Sequence, residues 1–351
     1  MQRNYAIGIQ EIHDARSRIY PSAHETPVMT SATLSALASK GAAQPRKLFF
    51  KCENTQRIGA FKFRGAFNAV AALSAAERER GVVTHSSGNH AQALALAARM
   101  HNVKATIIMP RTAPKAKAAA VAEYGATIVF CEPTQKARDE GAARVMAETG
   151  AVFVHPFENP FVMAGQGTLM LELLSQTSTL QNSEDIVASG AKSVLDAVLI
   201  PVGGGGMVSG CSVAARAVKP DMRIFGVEPV NVNDCARSLA SGVRVTSHIL
   251  QPVQSIADGL LTTIGAPNWE IIRDHVENTF TVTEDEIVAA MRIVYERMKI
   301  VIEPSAAVGV AVALYNNDFK ALKGITNVGI VLSGGNLDLD KPLPWVKAAR
   351  L

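Results

Sequence analysis

Residues 82–92 read Val-Val-Thr-His-Ser-Ser-Gly-Asn-His-Ala-Gln. A β-branched pair opens the stretch, Ser86, Ser87, Gly88, Asn89 and His90 make a small polar turn, and an alanine-rich run follows. This is a strand, a turn and a helix start, with backbone amides exposed at the helix N-terminus. Outward from it, short apolar strands near 82–85, 105–108, 127–130 and 152–155 alternate with helical patterns. Such alternation predicts a parallel α/β architecture instead of a sandwich or a bundle. Residues 81–158 are expected to form a smaller α/β domain inserted into a large parallel-sheet domain of residues 1–80 and 159–351. The strands of the large domain are expected near 48–52, 195–201, 223–227 and 328–332.

Just before the first strand of the small block, residues 53–66 read Glu-Asn-Thr-Gln-Arg-Ile-Gly-Ala-Phe-Lys-Phe-Arg-Gly-Ala. Lys62 stands between two phenylalanines at the mouth of an apolar helix. At 3.6 residues per turn, Ala66, Ala69 and Leu73 share its face, and Phe63, Phe67 and Val70 line the next one. A lysine buried there must be paired, neutral or chemically modified. Condensation with an aldehyde cofactor is one solution, and Gly59 would let the backbone approach a flat ring. A surface lysine that snorkels past its aromatic neighbours is the plainer one.

Residues 200–207, Ile-Pro-Val-Gly-Gly-Gly-Gly-Met, follow an apolar run and precede a helix-compatible stretch over 207–218. Consecutive glycines let several N–H groups converge at a helix start, which suits a phosphate. No Gly-Lys-Ser/Thr follows and the GxGxxG spacing is missing, so neither a Walker loop nor a dinucleotide fingerprint is present. By itself the run could equally be a tight turn. A fourth motif, Ser333-Gly334-Gly335-Asn336, closes the strand near 328–332.

The order lysine helix, SSGNH, glycine loop, SGGN resembles the fold-type II pyridoxal-phosphate enzymes of the serine/threonine dehydratase family. The resemblance runs from Thr26-Pro27-Val28 to Trp345-Val346-Lys347. It implies that Lys62 bonds pyridoxal 5′-phosphate and acts as base on one face of the substrate Cα. Gly203, Gly204, Gly205, Gly206 and Met207 would cradle the phosphate, Asn89 the ring hydroxyl oxygen, and Ser333 the pyridine nitrogen. A serine at that nitrogen makes the ring a moderated electron sink. Ser86, Asn89 and the amides through His90 would bind the substrate carboxylate, and Arg138, His155 and Thr262 the side chain. Threonine stands at 262 where serine is commoner in the family. The related threonine dehydratases usually carry SAGNH, whereas the racemising branch uses the second serine, here Ser87, as the opposite base. Some hydroxyaspartate dehydratases share SSGNH, and a helix cap is the bland reading of Ser87. The implied activity is interconversion of L- and D-serine with dehydration of L-serine to pyruvate and ammonia; threonine or 3-hydroxyaspartate dehydration is the alternative.

The resemblance also implies a divalent cation, Mg²⁺, Mn²⁺ or Ca²⁺, held by Glu228, Asp234 and the carbonyl of Val232, an oxygen-only set. Two acids in a loop are more often merely solvated. An adenine-nucleotide effector such as ATP is implied at a homodimer interface through Gln92, Tyr124, Lys299 and Asn336. Ala32, Arg57 and Ile58 depart from the animal-enzyme pattern there.

Composition agrees. The chain has 351 residues, 48% of them hydrophobic, enough for one large or two moderate cores. Its net charge of +4 is spread along the chain and only 5% of residues are aromatic, which argues against a nucleic-acid surface. Cys52, Cys131, Cys211 and Cys235 show neither CxxC nor zinc spacing, as expected of reduced thiols in a cytoplasmic protein. The first twenty residues lack the apolar core of a signal peptide and no stretch approaches a membrane span. Thr283 with Glu286 predicts a capping box opening a helix toward Lys299, and the polar segment 175–193 is expected as a surface excursion.

Overall fold

The computed structural model describes residues 5–113, 115–179, 193–248 and 253–346. The chain begins with α1 (Ile9–Ile19), β1 (Val28–Thr30), α2 (Ala32–Ser39), β2 (Lys47–Cys52), α3 (Lys62–Ala71) and α4 (Ala75–Arg80). A first run of alternating elements is β3 (Val82–His85), α5 (Asn89–Met100), β4 (Ala105–Pro110), α6 (Lys115–Glu123), β5 (Thr127–Cys131), α7 (Gln135–Thr149) and β6 (Val152–Phe153). After α8 (Pro160–Thr179) come β7 (Ala197–Pro201), α9 (Gly206–Val218), β8 (Arg223–Pro229), α10 (Asp234–Ser241), α11 (Ala266–His275) and β9 (Asn278–Val282). The last elements are α12 (Glu284–Met298), α13 (Pro304–Tyr315), α14 (Asn317–Ala321) and β10 (Asn327–Leu332).

Two sheets result. Strands β5-β4-β3-β6 form one, wholly parallel; β1-β2-β10-β7-β8-β9 form the other, parallel except for the edge strand β1. Parallel strands covered on both faces read as continuous apolar runs, and β10 and β7 are buried along nearly all their length. The expected strands are all present. Two more, β1 and β9, were not expected: β1 is three residues long, and β9 (Asn-Thr-Phe-Thr-Val) carries polar residues that mask its pattern.

Helix α3 is held in place at its backbone. A Cβ on Gly165 would stand 2.6 Å from the Arg64 carbonyl and the Gly65 Cα, so α8 crosses α3 at glycine-to-backbone distance. Arg64 is fully buried and pairs with Glu53 at 2.8 Å and Glu172 at 2.6 Å; Lys51 joins Glu172 at 2.7 Å. Two cations and two anions thus balance beneath the lysine helix, and removing one partner would leave an uncompensated buried charge, costing about 3–5 kcal/mol.

Two expectations need correction, and the plainer reading of Ser87 falls away. Leu73 lies beyond α3, whose C-cap is Ala72, because Ser74 immediately opens α4 with a capping box of its own. The polar segment 175–193 begins as helix, since α8 runs on to Thr179; residues 180–192 lie outside the described residues. Helix α5 is capped by Gly88 with no side-chain bond, so Ser87 does not serve as its cap. The capping box of Thr283 and Glu286 is present as expected, with Lys299 as C-cap at φ 60°. Among the described residues no helix is long and apolar enough to cross a membrane, and all four cysteines are free.

Candidate active site

The motifs separated in sequence meet at the C-terminal ends of the central strands, where parallel sheets place their sites. The loop before α3 pairs with the loop after β10: Ala60 bridges Gly334, Phe61 N–H donates to the Ser333 carbonyl at 3.0 Å, and Gly335 N–H to the Gly59 carbonyl at 2.9 Å. Lys62 and Ser333 are therefore brought together by main-chain geometry. Gly59 holds φ +70°, and a Cβ there would lie 2.9 Å from Asn336 Oδ1. Lys62 donates to the Pro156 carbonyl at 2.9 Å. Dense packing around its amine lowers it from 10.5 to about 8, so a neutral, nucleophilic amine is accessible near physiological pH.

The glycine loop ends β7 and starts α9. Gly205 takes φ 91°, and a Cβ on Gly204 would stand 2.2 Å from the Phe157 ring, so that ring lies flat against the loop. The Asn268 amide donates to the carbonyls of Gly204 at 2.8 Å and Phe157 at 3.0 Å, fixing the two together. The first amides of α9 are left without helical partners and form an anion cradle.

In the SSGNH turn, Ser86 Oγ accepts the Gly88 N–H at 3.2 Å. Asn89 donates its amide to both oxygens of Glu303, at 3.0 and 3.2 Å, and accepts from Asn336 Nδ2 at 2.9 Å. Burial lifts the Glu303 carboxyl to about 7. His90 is buried with Nε2 3.1 Å from the Val154 carbonyl, and burial, with Lys62 nearby, pushes it down to about 3, a neutral imidazole.

The residue pattern of the chain from residue 19 to residue 334 matches the model of the pyridoxal-phosphate dependent enzymes. The chain belongs to that family. Serine racemase of Homo sapiens is 44% identical over 99% of this chain and 97% of the relative. The structure of maize serine racemase superposes with a TM-score of 0.86 at 40% identity, covering 96% of this chain and 95% of that one. A pyridoxal 5′-phosphate-dependent aspartate racemase does so with a TM-score of 0.86 at 37% identity, over 98% of this chain and 100% of that one.

The family's cofactor fits the residues present: an amine lowered to about 8, and a loop in which a side chain at 204 would strike Phe157. When bound, pyridoxal 5′-phosphate supplies an aldehyde carbon and a ring that withdraws electrons from the substrate Cα.

Of the expected side-chain pocket residues, Arg138 and His155 both lie near His85, and Thr262 lies beside the glycine loop. His155 accepts the Glu158 N–H at 2.9 Å through Nδ1, and burial drops it to about 4. It lines a cavity of about 350 Å³ with His85, Asp139, Met146 and Phe153, between α7 and the ends of β3 and β6. Arg138 keeps its Nε buried without a partner, and Thr262 is exposed beside Gly203, where a Cβ would come 3.3 Å from its Oγ1.

In the carboxylate loop, Glu228 is buried and accepts the Cys235 and Ala236 N–H groups at 2.9 Å each, at the start of α10. Asp234 accepts the Ile264 N–H at 2.8 Å through Oδ2, while Oδ1 is buried, accepts no hydrogen bond and lies 3.7 Å from His248 Nδ1. Burial, with Asp234 nearby, holds Glu228 well above the usual carboxylate range; burial lifts Asp234 to about 6. Val232 is buried between them in sequence. An orphaned carboxylate oxygen in a hard-donor loop fits a divalent cation. Among the described residues no three His, Cys, Asp or Glu side chains converge on one point. Of the residues expected at a nucleotide site, Asn336 bonds Asn89 and the Ile58 carbonyl, at 2.7 Å for the latter; Gln92 is buried in α5, Tyr124 follows α6 and packs against the core that includes α5, and Lys299 is the C-cap of α12.

Sequence reading missed Glu303, Phe157, Asn268 and His248. Glu303 precedes Pro304 and reads simply as a helix start; nothing local marks it as buried against Asn89.

Proposed function

We propose that the chain interconverts L- and D-serine and dehydrates L-serine to pyruvate and ammonia. The observation that carries this reading is Ser87: it belongs to the turn that also supplies Asn89, and it is relieved of the capping role that would explain it otherwise. Lys62 moves the Cα proton on one face and Ser87 on the other, and the Ser86, Asn89 and His90 segment receives the substrate carboxylate. Gly203 to Met207 hold the phosphate, Asn89 the ring hydroxyl oxygen and Ser333 the ring nitrogen; Arg138, His155 and Thr262 face the substrate side chain. Similarity to the human and maize serine racemases supports the substrate.

The same reading takes residues 81–158 as a small domain, and two copies of the chain as the working unit in the cytoplasm. Glu228, Asp234 and the Val232 carbonyl contribute to a divalent-cation site, supported by the buried Asp234 Oδ1 that accepts no hydrogen bond. Gln92, Tyr124, Lys299 and Asn336 contribute to an adenine-nucleotide site, supported by the Asn336–Asn89 bond that would link it to the cofactor. Purified protein incubated separately with L-serine, D-serine, L-threonine and 3-hydroxyaspartate, with keto acid and enantiomer both measured, tests it. D-serine from L-serine is expected; keto acid from threonine or 3-hydroxyaspartate with no enantiomer formed would replace it with a dehydratase.

A further inference from the structure

The loop that leads into Lys62 passes through a left-handed turn. Ile58 holds φ 58° and ψ 9°, and Gly59 follows at φ 70°. Among the described residues only Ile58, Asn102 and Lys299 take a positive φ without being glycine, and of these Ile58 alone is β-branched. A β-branched side chain crowds its own backbone in that region and persists there only when its surroundings over-determine it.

The surroundings do so from two sides. The Ile58 side chain is 8% exposed, in the core that also holds residues of α3 and α5. Its carbonyl accepts Asn336 Nδ2 at 2.7 Å. Asn336 Oδ1 lies 2.9 Å from the place a Cβ on Gly59 would take, so this amide is seated on the turn itself. The same Nδ2 donates to Asn89 Oδ1 at 2.9 Å. Asn89 spends its own NH₂ on Glu303, which leaves Oδ1 as its acceptor and fixes which way the Asn336 amide points.

One side chain therefore ties the strained turn ahead of Lys62 to the residue expected at the cofactor's ring hydroxyl. In pyridoxal 5′-phosphate the aldehyde and that hydroxyl stand on adjacent ring carbons, so the groups that meet them must keep a fixed spacing.

We propose that Asn336 is a positioning residue: its amide locks the Ile58–Gly59 turn and thereby sets the Lys62 amine against Asn89 at the spacing the cofactor requires. The inference rests on the cofactor roles of Lys62 and Asn89 given above and needs no nucleotide at Asn336. Without the Nδ2 donor, Ile58 relaxes toward negative φ and its peptide rotates. That rotation opens the pairing beyond it, in which Gly335 N–H reaches the Gly59 carbonyl and Phe61 N–H the Ser333 carbonyl. Helix α3 starts at Lys62 with no side-chain cap, so its first turn depends on that pairing and moves with it.

The test compares Asn336→Ala, Ile58→Gly and the double variant, all without nucleotide. Glycine takes a positive φ freely, so Ile58→Gly removes the strain that the Asn336 amide opposes. In cofactor-free protein, hydrogen exchange at the Phe61 and Gly335 amides should speed about tenfold in Asn336→Ala, and by about threefold at most in the double variant. In the holoenzyme, Asn336→Ala should move the pH midpoint of the visible band of lysine-bound cofactor and lower kcat for L-serine elimination about tenfold with KM changed less. The double variant should recover at least half of the midpoint shift. Equal acceleration of exchange with and without Ile58→Gly overturns the strained clamp. Faster exchange with an unmoved band makes Asn336 merely structural and overturns the positioning role. Asn336→Asp, which keeps the shape and removes the donor, takes the place of Asn336→Ala if the latter does not fold. A Lys62→Ala control separates this inference from the reading beneath it: a lysine-type band that survives there would refute the cofactor role of Lys62, whatever the exchange result.

Discussion

Asn89 and Glu303, 214 positions apart, share two hydrogen bonds at 3.0 and 3.2 Å. One is the residue expected at the cofactor's ring hydroxyl; the other is a buried carboxyl lifted to about 7 from 4.5 by burial, which the bonds from Asn89 offset only in part. The Asn336 backbone N–H also donates to it, at 3.2 Å, and Asp258 and Lys117 act on it with opposite sign.

A pH dependence follows. Between its unfolded and folded values this carboxyl binds more protons in the folded state, so its contribution to stability declines as pH rises from about 4.5 to about 7. Glu303→Gln should flatten the melting temperature across that window and shift the visible absorption of the holoenzyme. An identical pH profile in parent and variant would show that Glu303 does not titrate there.

Lys62→Ala should purify without the absorption band of lysine-bound cofactor and without activity, since no other amine of the site occupies that position. Retention of both would remove the central assignment.

Inverting Cα needs a proton to leave one face and arrive at the other, and a lysine serves only the face on which it sits. Ser87→Ala should keep cofactor binding and elimination from L-serine, and lose both D-serine formation and elimination from D-serine. A serine hydroxyl acts as base only when its surroundings tune it. Racemisation at the parental rate in the variant would sink the two-base reading.

Gly204→Ala places a methyl 2.2 Å from the Phe157 ring. Overpacking against a fixed ring costs about 1–3 kcal/mol, and the loop must shift away from the phosphate. Cofactor affinity, read by dialysis and recovery of the absorption band, should fall by tenfold or more; the double variant with Phe157→Ala should recover part of it. Unchanged affinity in Gly204→Ala would place the phosphate elsewhere.

Asp234→Ala removes the carboxylate with the open oxygen. The variant should lose the thermal stabilisation that Mn²⁺ or Mg²⁺ gives the parent and become insensitive to chelator. A melting response to the ions equal to that of the parent would exclude Asp234 as a ligand.

The local motifs were legible because each states its own physics. An apolar helix opened by Lys62 demands an explanation for the amine; glycines at 203–206 free backbone amides at a helix start; alternating apolar runs dictate parallel strands. What the chain could not show by itself was proximity. That the loop before Lys62 pairs with Ser333–Asn336, that Phe157 lies on Gly204, and that His248 faces Asp234 are contacts between elements distant in sequence. Ser87 shows the same division: a serine ahead of a helix reads as a cap in one dimension, and only the backbone, which gives the cap to Gly88, removes that role. Composition and periodicity act along the chain and fix which elements form, whereas burial and charge pairing depend on which elements pack together, so Glu303 reads as a surface acid until α13 carries it against Asn89.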